Sequence, residues 1–383
     1  MEKKTARLYF IDAMRAWAIL MMLQGHFIDG LLDTSFRDLG NPVYNIWQYF
    51  RGITAPVFFT VSGFIFTYLL VRGDKKGLYN PRVKKGIRRG LQLILFGYLL
   101  RLNLWGLFIG KVYDSFYLID VLHCIGLSIL TIVALYLVTS KSKSFLFPSL
   151  LVSITILLFV FEPWYASSTF EALPNFLANY ITTINGSVFT IIPWLGYATF
   201  GSFVSILFTK LKTARYLYPA AISAFLAAGS ILIFFSSNAF LWVSEVLDIQ
   251  LFESIHFNNY LFIRLGDVML VFATFMLVRS LLKNATILKI GQSTLSIYII
   301  HFIILYGSFT GLGLYGFLHH SLPPVIVIPG ALLFMILCTY ASLKFERHKE
   351  YIMLNVNSTL GYGFDILKTS FQRMLRFIGI IKS

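Results

Sequence analysis

The chain has 383 residues, of which 57% are hydrophobic and only 13% are charged. A soluble core of this length requires a more polar surface, so the composition excludes a soluble globular protein and indicates an all-α, polytopic membrane protein. The formal net charge of +15 is explained by basic loops on one predicted side of the membrane, and we therefore expect no nucleic acid among the partners.

Polar, Pro-rich or charged breaks divide the sequence into ten candidate membrane spans. They lie near 10–30, 47–71, 89–110, 118–139, 144–162, 187–208, 216–236, 259–282, 288–311 and 324–345. The first apolar run contains charged residues and no small-residue cleavage site follows it, so we expect a retained span and not a removed signal peptide. We predict one transmembrane domain, 1–346, and a basic amphipathic tail, 347–383, lying on the inner membrane surface.

The distribution of basic residues predicts the orientation of these spans. The stretch after the second span, RGDKKGLYNPRVKKGIRR, and the C-terminal tail are rich in Lys and Arg. The two longest loops of the opposite side, near 163–186 and 237–258, contain neither residue. An even number of spans then places both termini in the cytoplasm, and we expect a multi-pass protein of a bacterial cytoplasmic membrane.

Two further patterns argue against other kinds of membrane protein. Cys124 and Cys338 both fall within predicted spans and make no metal-ligand spacing, so we expect neither a disulfide framework nor a metal site. No internal repeat is visible, which weakens an inverted-repeat transporter as an interpretation.

Charged and titratable residues inside the spans are the candidates for function, because a bilayer makes them costly and they tend to face a bundle interior. In the first span, Arg15 lies near the cytoplasmic end and His26 toward the outer end. Eleven residues are about three helical turns, or roughly 16 Å, so both side chains point to nearly the same face. Arg88 and Arg89 open the third span near the depth of Arg15, and such a group suits phosphates from the cytosol.

A second polar cluster falls in the outer halves of the spans. Its members are Arg51, Arg101, Asp120, His123, Arg264, Asp267 and His301. Two clusters at different depths indicate a path through the bundle. A neutral imidazole such as that of His26 accepts a proton from an attacking hydroxyl or amine at a pH near its own pKa, which makes it a candidate general base.

Several segments resemble the transmembrane acyltransferase superfamily. RLYFIDAMRAWAILMMLQGHF looks like its first span, whose hallmark is an arginine, ten residues and a histidine, as in Arg15 and His26. WQYFRGITAPVFFTVSGFIF resembles the second span of the branch related to heparan-alpha-glucosaminide N-acetyltransferase. FYLIDVLHCIGLSI and IGQSTLSIYIIHFIILYG resemble later spans, whereas the middle, about 140–260, matches only as a hydrophobic pattern.

The resemblance implies acetyl transfer from cytosolic acetyl-CoA to a sugar hydroxyl or amine of a glycan beyond the membrane. Arg15, Arg88 and Arg89 would hold the CoA phosphates, and His26 would meet the acetyl group and the acceptor. In the heparan-alpha-glucosaminide branch the proposed active histidine lies in the external loop after the first span, but the stretch DGLLDTSFRDLGNPVYN contains none. The pattern of Arg15 and His26 is closer to the O-acyltransferase (acyltransferase 3) branch, so nitrogen and oxygen acceptors both stay open.

The residues assigned to the donor and to catalysis also have structural interpretations. Arg15 fits an ion pair with Asp12 one turn earlier. His26 fits an interfacial histidine, and Arg88 and Arg89 fit positive-inside anchors. We favour function for Arg15 and His26, because intramembrane charge is costly and the superfamily spacing is present.

For the remaining candidates we favour structural roles, Arg51 being left as a further site candidate. Asp120 and His123, at helical spacing, are placed to interact with Arg101 across a short external turn. His301 is a single imidazole in an apolar span, which favours a hydrogen bond between helices over catalysis.

Two functional alternatives to an active acyltransferase remain from the sequence. One is a transporter that moves a small anion or a lipid-linked sugar along the same polar path. The other is a family member that binds acyl-CoA without turnover. Membrane lipids are expected partners, and the sequence leaves a homo-oligomer open.

Overall fold

The computed structural model describes the backbone of residues 8–377 and the side chains of residues 8–354. The described chain is 77% helix and contains no strand, which confirms the all-α prediction. Its α-helices, labelled α1 to α16 in chain order, are Tyr9–Leu31, Pro42–Val71, Pro81–Arg101, Leu104–Phe108, Val121–Thr139, Leu146–Val160, Glu162–Ala166, Asn175–Ala178, Ile191–Lys210, Leu217–Leu247, Gln250–Phe257, Tyr260–Leu277, Ala285–Gln292, Thr294–Tyr306, Leu314–Leu318 and Pro324–Phe377. Short 3₁₀ helices lie at Thr34–Phe36, Gly77–Tyr79 and Asp114–Tyr117.

Each of the ten predicted spans overlaps at least one helix, but not every helix is apolar and long enough to cross a membrane. In the described part of the chain six helical segments are, and counting the bent pair α13 and α14 as one span gives seven. The helices of this pair meet at 68°. Among the others, α1 and α3 contain many polar residues, and α6 has only 15 residues. The total of ten spans and the cytoplasmic termini therefore remain predictions.

The third helix begins earlier than the sequence suggested. We expected a span from about 89, but α3 begins at Pro81 and ends at Arg101. The Asn80 side chain accepts a hydrogen bond from the backbone N–H of Arg82 at 3.0 Å and caps the helix, and a proline is favoured at the first helical position. Part of the basic run predicted as a loop is therefore helical.

Helices α2 and α9 cross at very short range in the centre of the bundle. A Cβ atom on Gly63 would lie 1.9 Å from the Ala198 carbonyl oxygen, and one on Gly201 would lie 1.9 Å from that of Thr60. The Ser202 hydroxyl donates to the Gly63 carbonyl at 3.2 Å. Small residues that allow backbones to touch, together with interhelical hydrogen bonds, are typical of membrane helix packing. This crossing fixes the position of α9 beside α2.

Helix α1 is enclosed by α2, α13, α14 and α16. A Cβ atom on Gly291 of α13 would lie 1.9 Å from the Asp12 carbonyl oxygen, so these backbones also touch. Helix α14 then runs beside α1. Helix α16 continues unbroken through the predicted boundary at 346/347, residues 378–383 lie outside the described part, and the division into domain and tail remains a prediction.

Candidate active site

His26 lies where two cavities meet. The inner cavity, of about 430 Å³, extends toward the predicted cytoplasmic side and is lined by Met21, Met22, Gly25, His26, Gln48, Arg51, Gly52, Thr54, Ala55, Phe58, Val121, Val188, Phe189, Trp194 and Arg264. The outer cavity, of about 630 Å³, is lined among others by His26, Asp29, Arg51, Arg101, Asp120, Tyr298, Tyr306 and Tyr315. Four residues line both: His26, Arg51, Val188 and Phe189. One imidazole therefore faces two compartments.

The two cavities differ in chemistry. Methionine and aromatic side chains form much of the inner wall, with two guanidinium groups. The outer wall contains two carboxylates, two guanidinium groups and several tyrosines. Apolar pockets with a few placed polar groups are typical of ligand sites. The outer cavity therefore offers more charged and hydrogen-bonding side chains to a ligand than the inner one.

His26 contacts a second histidine. Its Nδ1 lies 3.2 Å from Nε2 of His301 on α14, and the side chain of His301 is completely buried. Tyr298 and Tyr306 of the same helix pack their rings against His301, with centroids 4.8 Å and 6.4 Å away. The contact between helices that we predicted for His301 is present, and its partner is the candidate base itself.

Arg51 is held by a residue that we did not select from the sequence. Its guanidinium donates to the Asp29 carboxylate at 2.7 Å, and the Asp29 carboxylate also lies 3.6 Å from the guanidinium of Arg37. Asp29 follows His26 by three residues, about one helical turn, and so projects near the same face of α1. That spacing was the available signal for Asp29.

Arg264, which the sequence placed in the outer polar cluster, also reaches the site. It pairs with Asp267 at 2.9 Å, and its guanidinium lies 4.5 Å from the centre of the Tyr49 ring. The Tyr49 hydroxyl donates to the same carboxylate at 2.7 Å. The guanidinium of Arg264 also lies against the backbone of α2 at Gly52, at the wall of the inner cavity. It is therefore available to a ligand there.

At the predicted cytoplasmic end, Arg15 contacts the start of α14. It donates to the Thr294 hydroxyl at 3.0 Å and lies 4.0 Å from the Asp12 carboxylate, so the expected ion pair is also present. Arg89 is within electrostatic range of Arg15. Arg88 instead lines an exposed groove along α3. The three arginines assigned to the donor therefore do not form one cluster.

The model of a known family matches the part of the chain that contains both Arg15 and His26. Residues 7–243, more than half of the chain, match the model of the heparan-alpha-glucosaminide N-acetyltransferase catalytic family. The chain belongs to this family. The match confirms the suspected superfamily and supports membrane acetyltransferase activity. No curated protein shows a significant match to the chain.

The heparan-alpha-glucosaminide N-acetyltransferase match includes Arg15, His26 and Arg51 but ends before α12 and α14. Arg264 and His301, which contact the matched part, lie beyond it.

In the loop after α1, the Asp33 carboxylate accepts hydrogen bonds from the hydroxyl and the backbone N–H of Ser35, at 2.7 Å and 2.8 Å. These hydrogen bonds lower the pKa of Asp33.

The Asp120 and His123 pair forms a helix cap. The Asp120 side chain accepts from the Leu122 N–H at 3.2 Å, and the Asp120 N–H donates to His123 Nδ1 at 3.3 Å. Arg101 Nε lies 3.3 Å from the Asp120 carboxylate, and the His123 ring is buried against Gly97. Asp120 reaches the outer cavity, whereas His123 lines neither cavity.

Neither cysteine contributes to the site. Cys124 and Cys338 are free and buried. Among the described residues no group of three or more His, Cys, Asp and Glu side chains is arranged to hold a metal ion. Imidazole, guanidinium, carboxylate and phenol groups line the two cavities.

Proposed function

We propose that this protein transfers an acetyl group from cytosolic acetyl-CoA to a hydroxyl or amine of a sugar in an extracytoplasmic glycan. The observation that carries the proposal is the position of His26 between two cavities, the inner one with Met, Phe and Trp side chains and two guanidinium groups in its wall, the outer one with two carboxylates and three tyrosines. Membership of an acetyltransferase family supports the type of reaction. The proposed setting is a bacterial cytoplasmic membrane, with ten spans and cytoplasmic termini.

In this mechanism the acetyl thioester enters the inner cavity and the acceptor enters the outer one. The acceptor oxygen or nitrogen attacks the carbonyl carbon while His26 takes its proton. A C–O or C–N bond forms, the C–S bond breaks, and the proton passes from His26 to the leaving thiolate of CoA. The acetyl thioester therefore stays on the inner side of His26 and the acceptor on its outer side.

Two guanidinium groups stand near the proposed reacting carbonyl. Arg51 lines both cavities and Arg264 lines the inner one. Each is fixed by a carboxylate, Arg51 by Asp29 and Arg264 by Asp267. Pre-positioned donors stabilise the negative charge that develops on the carbonyl oxygen, and such a donor commonly contributes about 10²–10³ in rate. We assign this role to Arg51 and Arg264.

The donor phosphates are assigned to Arg15 with support from Arg89. Arginine stays charged when it is partly desolvated and binds phosphate through several N–H groups. Arg88 faces the α3 groove, so it is left to anchor the protein at the membrane surface. This division makes Arg88 a matched control for Arg15.

The test is acetyl-CoA binding to the purified protein in nanodiscs. Arg15→Ala is expected to weaken binding about 10- to 100-fold, the loss typical of charge-assisted hydrogen bonds. Arg88→Ala is expected to leave binding within about threefold, below the ~1.4 kcal/mol of a tenfold change. His26→Ala is expected to spare binding and abolish acetyl transfer to added sugars. Failure of folded wild-type protein to bind acetyl-CoA would refute the proposal and favour a transporter.

A further inference from the structure

We infer that His301 is a positioning residue that fixes the tautomer of His26, so that the two imidazoles work as a unit. This inference rests on the proposed role of His26 as general base. His301 lines neither cavity, so it reaches a substrate only through His26. It also lies outside the region matched by the family model.

The direction of the hydrogen bond follows from what surrounds His301. The carbonyls of Ile297 and Tyr298, in the preceding turn of α14, interact with the His301 ring. Because Nε2 is taken up by His26, we place these carbonyls beside Nδ1, which is buried without a hydrogen bond of normal geometry. A neutral imidazole has one N–H donor and one acceptor nitrogen. If Nδ1 of His301 were the acceptor, its lone pair would face carbonyl oxygens and repel them. The proton therefore belongs on Nδ1, and Nε2 is the acceptor.

The same reasoning fixes His26. Because Nε2 of His301 accepts, Nδ1 of His26 at 3.2 Å carries the donated proton. The remaining nitrogen of His26, Nε2, then has a free lone pair. His26 lines both cavities, and Nε2 is the nitrogen left to receive the acceptor's proton. Orientation of a base by a hydrogen bond to its other nitrogen is the logic of catalytic triads, here with an imidazole in place of a carboxylate.

An imidazole suits this position better than a carboxylate would. His301 is completely buried among the rings of Tyr298, Phe302 and Tyr306, and a buried charge without full compensation is costly. A neutral partner avoids that cost before the reaction. After His26 takes the acceptor's proton, its Nδ1–H becomes a charge-assisted donor to His301 and the contact strengthens. The proton then leaves from Nε2 of His26 to the thiolate.

Other charged groups act on the pair but do not replace His301. Arg51, Asp29 and Asp120 are the charged residues with an electrostatic effect on His26. Asp29 is occupied by two arginines, and Asp120 by Arg101 and its helix cap. The described contacts therefore leave His301 as the side chain hydrogen-bonded to Nδ1 of His26.

The tautomer can be read without any substrate. Protein labelled with ¹⁵N-histidine gives separate signals for protonated and unprotonated ring nitrogens, and His26→Ala assigns those of His26. We expect Nδ1–H and bare Nε2 at His26 in the wild type. His301→Gln keeps an acceptor oxygen and is expected to keep this tautomer, whereas His301→Phe fills the space without an acceptor and is expected to shift His26 toward Nε2–H.

Kinetics provide the second readout. His301→Phe is expected to lower kcat roughly 10- to 100-fold, as loss of an orienting partner does at other sites, with KM changed by less than about threefold. His301→Gln is expected to recover most of that loss. His123→Phe removes another completely buried imidazole, so its effect on thermal stability measures the cost of altering a buried histidine without altering the tautomer of His26.

The outcomes separate this inference from the proposed function. Wild-type His26 with Nε2–H would overturn the inference whether or not the protein transfers acetyl groups. Equal loss of kcat in His301→Gln and His301→Phe, with the tautomer unchanged, would also overturn it and leave the role of His26 standing. Loss of the Nδ1–H tautomer in His301→Phe alone supports the inference even if no acetyl transfer occurs in any variant.

Discussion

Substituting Gly63 by alanine should force α2 and α9 apart. The new Cβ would lie 1.9 Å from the Ala198 carbonyl oxygen, where contact normally needs ~3.5 Å, so one helix must move by about 1.5 Å. A backbone carbonyl cannot rotate away as a side chain can. Overpacking of this kind costs about 1–3 kcal/mol, and we place Gly63→Ala at the upper end. Helix propensity returns up to about 1 kcal/mol, which leaves a net loss near 2 kcal/mol.

The assay is reversible unfolding in mixed micelles, with Gly73→Ala as the matched control. A Cβ atom on Gly73, just beyond the end of α2, meets no atom within 4 Å, so its effect should stay within about 0.5 kcal/mol. Because α9 carries Trp194 at the inner cavity, Gly63→Ala should also weaken acetyl-CoA binding. Equal stability of the two variants would show that the described helix crossing is wrong.

Three further predictions concern the site, the external loop and the topology. Arg51→Gln should lower the free energy of unfolding by less than about 1 kcal/mol, because the side chains of Arg51 and Asp29 are about one third exposed (34% and 36%). The same substitution should lower kcat about 100-fold. A loss of stability as large as that of Gly63→Ala would contradict this prediction. Ser35→Ala should raise the pKa of Asp33 toward its ordinary value, measured by NMR titration, because the hydroxyl hydrogen bond is the largest cause of its lowering. Ser142→Cys should react with an impermeant maleimide only from the cytoplasmic side and Ser167→Cys only from the outside; both serines are exposed, and the reverse pattern would invert the topology.

Local sequence signals predicted the presence of the helices better than the residues at which they begin and end. Apolar runs located every long helix, because hydrophobic length is a property of one segment. The start of α3 was misplaced because nine residues, PRVKKGIRR, were interpreted by charge alone. Asn80 followed by Pro81 is a helix-start signal, and it outweighs the basic composition in the structure.

The site was predictable only where its residues share one helix. The sequence predicts that Arg15 and His26 share one face of α1, because this follows from the helical repeat alone. The contact between His26 and His301 joins residues 275 apart in the chain, and that between Tyr49 and Asp267 joins residues 218 apart. Such pairings depend on how helices pack, which no local pattern specifies.

Helix α14 connects the two ends of the site that the sequence placed on α1. Its first residue, Thr294, accepts a hydrogen bond from Arg15, and two turns later His301 meets His26. The break before α14, where it meets α13 at 68°, allows this short helix to lie along the functional face of α1 while α13 packs under Asp12. A rigid helix cannot shift one of these contacts without disturbing the other. The bend therefore places one short helix against both the proposed phosphate-holding residue and the proposed base.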